Sequence, residues 1–153
     1  MHWAAEKNNV EALQLLLANQ QVDVNLKNNF GRSALLYETN NIATMELLLA
    51  NQQMDVNSTN NAGNTALHIA ASNDNVELVK LLLAHPRFNS ANHLNAKGRS
   101  PAMVAAKGQK GNALRELVAH QSVDLDILDR NGRSLNQIAA WFVGYDDTAS
   151  FDG

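Results

Sequence analysis

The stretch 60–83, NNAGNTALHIAASNDNVELVKLLL, constrains the chain more than any other, because it is one complete unit and the chain repeats it. Asn60-Asn61-Ala62-Gly63 is a turn signal, since Asn and Gly both tolerate positive φ. Thr65 opens a short helix with Ile69, Ala70 and Ala71 on its packing face, and Asp74-Asn75 breaks it. Val76, Val79, Leu82 and Leu83 then form one stripe of a second helix. Neither helix is long enough to be stable alone in water. Each buries a face only if a neighbouring copy supplies the opposite wall.

The copies are present. Val10, Leu13, Leu16 and Leu17 repeat the second-helix stripe, as do Ile42, Met45, Leu48 and Leu49, and then Leu114, Leu117 and Val118. Connectors 25–31, 57–63, 92–98 and 126–132 match in length, with Asn28, Asn60, Asn95 and Asp129 each three residues before the glycine. Asx side chains close such turns by accepting from nearby backbone N–H groups. Thr65-Ala66-Leu67-His68-Ile69-Ala70 resembles the T-P-L-H-x-A signature of ankyrin repeats, with Ala66 in place of Pro.

The resemblance covers Met1 to about Ala140 and implies an all-α ankyrin repeat solenoid, built of helix-turn-helix pairs with projecting β-hairpin turns. The repeats fall at about 1–25 (partial), 26–57, 58–92, 93–126 and 127–143 (partial), in one domain, 1–143. Residues 144–153 (GYDDTASFDG) read as a flexible acidic tail. His2 aligns with His68, a position whose histidine ties adjacent repeats in this family. Asn8 stands at the left-handed position between helices. Trp3 aligns with Ile69, Val104 and Ile138, which predicts packing between repeats. The chain starts inside a repeat, so it reads as a piece of a longer array, with a frayed cap as the alternative.

Two repeats depart from the pattern. The glycine spacing is 32 residues from Gly31 to Gly63, against 35 to Gly98 and 34 to Gly132. The shortfall lies after Leu35, where the first helix reads only Leu35-Leu36-Tyr37-Glu38-Thr39. This predicts a shortened or distorted helix, or else a bend that reshapes the binding face. The fourth repeat restores Pro101 but has Glu116 where others have Leu, and Gly108 and Gly111 add backbone freedom. It is expected to be looser. Asn136 and Gln137 replace the Leu-His pair of the fifth, which suits a polar cap.

No motif supports catalysis, a cofactor or a metal. Gly-x-Ser occurs at Ser33, Ser100 and Ser134, but none has the second glycine or the preceding strand of a nucleophile elbow. These serines occupy the Thr65 position, where a hydroxyl caps a helix. The five histidines show no metal-ligand spacing. Asp23-x-Asn25, Asp55-x-Asn57 and Asp124-x-Asp126 recur one repeat apart, not within one calcium loop, and read as turn caps. A net charge of −3 argues against wholesale nucleic-acid binding. The chain has no cysteine and no apolar run near membrane-spanning length. The expectation is a soluble protein of the cytoplasm or nucleus, a monomer unless its open ends stack.

What remains is a surface. In this family partners lie against the concave face of hairpin tips and first helices. Carried over by alignment, that face includes Phe30, Arg32, Asn64, Lys97, Arg99, Lys107, Arg130, Arg133, Trp141 and Phe142. Aromatics and arginine dominate interface energetics, and the C-terminal cations predict a protein partner with an acidic surface. The expected function is protein–protein recognition, as scaffold, adaptor or inhibitor. A longer array whose ends stack on further repeats is the runner-up. An enzyme or a phosphoinositide binder using the basic patch is a distant third class.

Overall fold

Helix pairs recur along the chain because each apolar stripe needs a second wall. The computed structural model describes residues 1–37 and 41–143, with no account of the side chains at 141–143. The expectations for Glu38, Thr39, the Trp141 and Phe142 side chains and the tail 144–153 lie outside the described residues. The helices are α1 (His2–Glu6), α2 (Val10–Ala18), α3 (Ile42–Ala50), α4 (Ala66–Ser72), α5 (Val76–Ala84), α6 (Pro101–Lys107), α7 (Gly111–Ala119) and α8 (Leu135–Val143), with one 3-10 turn at Ala34–Leu36. α1, the 3-10 turn, α4, α6 and α8 stack in one row, and α2, α3, α5 and α7 in a second. The core between the rows holds Leu13, Leu35, Leu36, Met45, Leu48, Leu67, Val79, Leu82, Met103 and Leu117, all fully buried.

Local chemistry sets the helix ends. Asn8, Asp74 and Gln109 hold the left-handed position between paired helices, at φ 52°, 57° and 55°, as expected for Asn8. Asn9, Asn41 and Asn75 then accept from the Ala12, Thr44 and Leu78 amides and cap the second helices. Lys110 stands at the same place before α7 and cannot cap. Asp74, from the preceding repeat, does so instead. Its carboxylate accepts from the Ala113 amide at 2.7 Å and from Asn112 Nδ2 at 2.9 Å. The Ala113 bond lowers the Asp74 pKa below the usual carboxylate value.

The hairpin turns close as the Asx pattern predicts. Asn28, Asn60, Asn95 and Asp129 each accept, through one Oδ1, from the amides two and four residues on. Neighbouring hairpins bond tip to tip, Asn61 N–H to Phe30 C=O at 3.0 Å and Ala96 N–H to Ala62 C=O at 2.9 Å. A Cβ on Gly63, which has φ 70°, would meet Ala96 N at 2.8 Å, so this contact requires glycine. No strand forms among the described residues.

A second ladder joins the connectors. Asn25, Asn57 and Asn92 each donate Nδ2–H to a carbonyl of the next connector, at Gln53, Arg87 and Ser122. Each also accepts an amide two residues beyond, from Asp55, Asn89 and Asp124. An amide side chain offers both halves of that pair on two atoms of one plane. The Asp-x-Asn carboxylates do cap turns: Asp23, Asp55 and Asp124 accept from the amides of Asn25, Asn57 and Asp126.

Three expectations need correction. Trp3 is 64% exposed among the described residues, whereas Ile69 and Ile138 are 7% and 2%. Ser33 caps no helix; with its helix reduced to one 3-10 turn, its hydroxyl meets Ser58 Oγ at 3.3 Å. The fourth pair is not uniformly looser. α6 buries Pro101, Ala102, Met103, Ala105 and Ala106, and the thinner packing is confined to α7, where Glu116 pairs with Lys80 at 3.4 Å.

The shortened first helix of the second repeat is borne out, with a consequence for dynamics. One 3-10 turn holds fewer intrahelical bonds than the seven-residue α4. Amide exchange at 35–37 is expected to run at least tenfold faster than at 67–72, about 1.4 kcal/mol of local stability. Equal protection in hydrogen-exchange NMR would contradict this.

Candidate recognition surface

The hairpins and the first-helix row present one continuous face. Its N-terminal part is an open pocket of about 380 Å³ lined by Glu6, Asn28, Phe30, Arg32 and Tyr37. Phe30 stands at the hairpin tip, 70% exposed. Asn28 closes its own turn and donates Nδ2–H to the Tyr37 hydroxyl at 3.0 Å. The His2 ring lies 5.7 Å from the Tyr37 ring. In the sequence Tyr37 belongs to the broken first helix of the second repeat. Its place in this pocket follows from the 3-10 turn, which no periodic signal reveals.

The C-terminal part is cationic. Lys97 and Arg130 are exposed at hairpin tips, Arg99 and Arg133 are half-buried just after the hairpin glycines, and Lys107 is exposed in the last turn of α6. The Arg130 stem lies over Gly98 of the preceding hairpin. The Arg99 guanidinium above all, then partial desolvation, Lys97 and Arg133, hold the Lys107 ammonium below the ordinary lysine pKa.

Arg133 is not a free member of that group. Asp129, which replaces the Asn of the other turns, accepts from Arg133 Nε at 3.0 Å and Nη2 at 2.7 Å on one oxygen. The hydrogen bond from the Arg133 side chain is the main reason that the Asp129 carboxyl falls to about 2. Asn64, between the two cationic ends, is committed to the neighbouring repeat, since its Oδ1 accepts from Asn95 Nδ2 at 2.8 Å. The row Arg32, Asn64, Arg99, Arg133 therefore divides. Arg32 belongs to the aromatic pocket, and Arg99 stands with Lys97 and Lys107.

Several groups of chemical interest elsewhere are engaged in structure. Ser100 and Ser134 accept from the amides of Met103 and Gln137. His2 Nε2–H donates to Arg32 C=O and His68 Nε2–H to Arg99 C=O, both at 2.9 Å. The two aligned histidines thus tie consecutive repeats, as the resemblance implies. Among the described residues no helix is long and apolar enough to cross a membrane. A family model described as ankyrin repeats, in three copies, matches residues 1–92, and no curated protein matches the chain.

Proposed function

Since the chain belongs to the ankyrin-repeat family, whose repeats are generally protein–protein interaction modules, we propose that it binds a protein partner on the face of hairpin tips and first helices. The partner presents acidic groups to Lys97, Arg99 and Lys107, and the Phe30 pocket supplies an aromatic anchor at the other end. The observation that carries this reading is the crowding of Lys107 by Arg99, Lys97 and Arg133. Exposed like charges at such spacing create a field that steers an acidic ligand and makes association salt-dependent. Asp129 weakens that field locally by holding Arg133.

The test uses a fluorescent ten-residue oligoglutamate peptide. Arg99→Glu with Lys107→Glu is expected to weaken its binding at low salt by roughly tenfold or more, with the helical circular dichroism unchanged, because surface substitutions cost little stability. Undiminished binding by the folded double variant would sink the proposal.

A second reading is favoured by the α1 end. Trp3 and Leu15 are 64% and 75% exposed there, whereas their counterparts Ile69, Leu47 and Leu81 pack against the core. That face is one on which a further repeat, or a second copy, stacks. Sedimentation equilibrium distinguishes the readings. Concentration-dependent association abolished by Trp3→Gln with Leu15→Gln supports stacking of copies; a monomer at every concentration removes it.

A further inference from the structure

Building on the acidic-partner reading, we infer that the pocket beside Phe30 takes a neutral aromatic side chain of the partner, about five or six extended residues from the acidic groups that meet Lys97 and Arg99. The pocket forms where the second repeat departs from the others. Tyr37 aligns with Ile69 and Val104, which lie inside α4 and α6. At Tyr37 the chain has instead left the helical path, with φ −79° and ψ 144°, and the residue lines the pocket together with Phe30. One side chain positions both. Asn28 Oδ1 accepts from the Phe30 amide at 2.9 Å, and Asn28 Nδ2 donates to the Tyr37 hydroxyl at 3.0 Å. A lining held in place this way costs a ligand less ordering on binding.

The lining also selects the occupant. Phe30 and Tyr37 offer rings that a third ring meets edge to face or offset. Glu6 and Arg32 bring one carboxylate and one guanidinium to the same pocket. Their charges cancel, so the lining favours neither an ammonium nor a carboxylate. A volume of about 380 Å³ is at the small end for ligand sites and suits a single side chain.

The repeat sets the spacing. Phe30 and Lys97 each stand one residue before a hairpin glycine, two repeats apart, with Ala62 at the same place between them. The tips along this path bond directly, Asn61 N–H to Phe30 C=O and Ala96 N–H to Ala62 C=O. At about 8–10 Å per repeat, Phe30 and Lys97 are roughly 16–20 Å apart, which about five or six residues cover at roughly 3.3–3.6 Å each. Ala62 is exposed and small, so an extended backbone passes over it. Joining two weak contacts on one peptide makes the second intramolecular, which raises affinity without a new contact.

Fluorescence anisotropy at low salt provides the test. The probe peptide carries one tryptophan and three glutamates joined by a five-residue Gly-Ser linker, in either order. Control peptides have alanine or lysine for the tryptophan, or a one-residue linker. In one of the two orders the tryptophan peptide is expected to bind the full chain about tenfold tighter than the alanine peptide. Phe30→Ala is expected to remove that gain, with the helical circular dichroism unchanged, because the ring is exposed. The one-residue linker, too short to bridge the two places, removes it as well. Equal binding of the tryptophan and alanine peptides overturns the inference. So does a gain that survives Phe30→Ala or the short linker, or a larger gain from lysine. In those cases the acidic-partner reading stands if Arg99→Glu with Lys107→Glu weakens binding of the alanine peptide. Binding of none of the peptides overturns both.

Discussion

Replacing His68 by alanine is expected to lower stability by about 3 kcal/mol, and His2 by less than half as much. The difference comes from neighbours. His68 is 1% exposed and bonds at both ring nitrogens. Arg99 C=O can only accept, so Nε2 carries the proton. Nδ1 then accepts from the Thr65 amide at 3.2 Å and the Thr65 hydroxyl at 2.9 Å, closing a capping box on α4. Alanine leaves a cavity and an unpaired Thr65 amide, and leaves the Arg99 carbonyl with the Asn95 amide as its one remaining donor. His2 makes the same bond to Arg32, but Met1 before it makes no side-chain cap, and described repeats flank it on one side only. Urea unfolding checks this, since a stability change moves the midpoint and leaves the slope alone; equal midpoint losses would refute it.

The same geometry makes the joint sensitive to acid. Burial lowers the His68 pKa from 6.5 to about 4. A depressed folded-state pKa means that the unfolded chain binds more protons between those values. Stability is therefore fully present above about pH 6.5 and is lost as the pH falls toward 4, by on the order of 3 kcal/mol at about 1.4 kcal/mol per unit. Protonation would also turn Nδ1 into a donor facing the Thr65 N–H. Asp74 and Asp129, also lowered, add losses of the same sign below the usual carboxylate range. The His68→Ala variant is expected to lose most of the slope between pH 6.5 and 4.

Periodicity made the helix pairs legible, because Val76, Val79 and Leu82 recur in register with Ile42, Met45 and Leu48. The Asx turns were legible for the same reason. Each asks only what a residue does within its own repeat. What lay hidden depends on the next repeat. Asp74 caps α7 rather than its own helix, and nothing within one repeat signals that Lys110 will need it. Trp3 matched a packing position and is exposed, since packing belongs to the pair of repeats and not to the residue. The Asn25, Asn57, Asn92 ladder was visible as a column, yet its amide-specific meaning needed the neighbouring carbonyl. On the face of hairpin tips and first helices, alignment set Lys97, Arg99 and Lys107 in neighbouring positions. It missed that Asp129, by replacing Asn, would bind Arg133 four residues away.

Arg87→Ala is expected to cost about 2–3 kcal/mol, a large loss for a residue with no periodic counterpart. Gln21, Gln53 and Ser122 hold its place in the other connectors. Pro86 stands just before it, and the turn delivers the guanidinium to the C-terminal end of α3. Nη1 donates to Gln52 and Met54 carbonyls at 2.9 and 3.0 Å, and Nη2 to Leu49 and Asn51 at 3.0 and 2.8 Å. Four N–H groups thus meet four carbonyls of the preceding repeat, two of them among the acceptors that a helix end leaves open. A cation there also complements the helix dipole. His85 Nε2 reaches the same Leu49 carbonyl at 3.2 Å, and the Arg87 carbonyl accepts from Asn57. The clamp therefore binds repeats two and three in both directions, beside the joint where the 3-10 turn makes the first-helix row thinnest. Lysine would keep the charge but offer one nitrogen in place of the planar fork, so Arg87→Lys should recover less than half of the loss. The carbonyls are partly exposed, and water replaces some of the bonds, which holds the figure below that of a fully buried charge. A midpoint shift on urea unfolding equivalent to under 0.5 kcal/mol, the usual effect of a surface substitution, would show that the clamp contributes nothing to the joint.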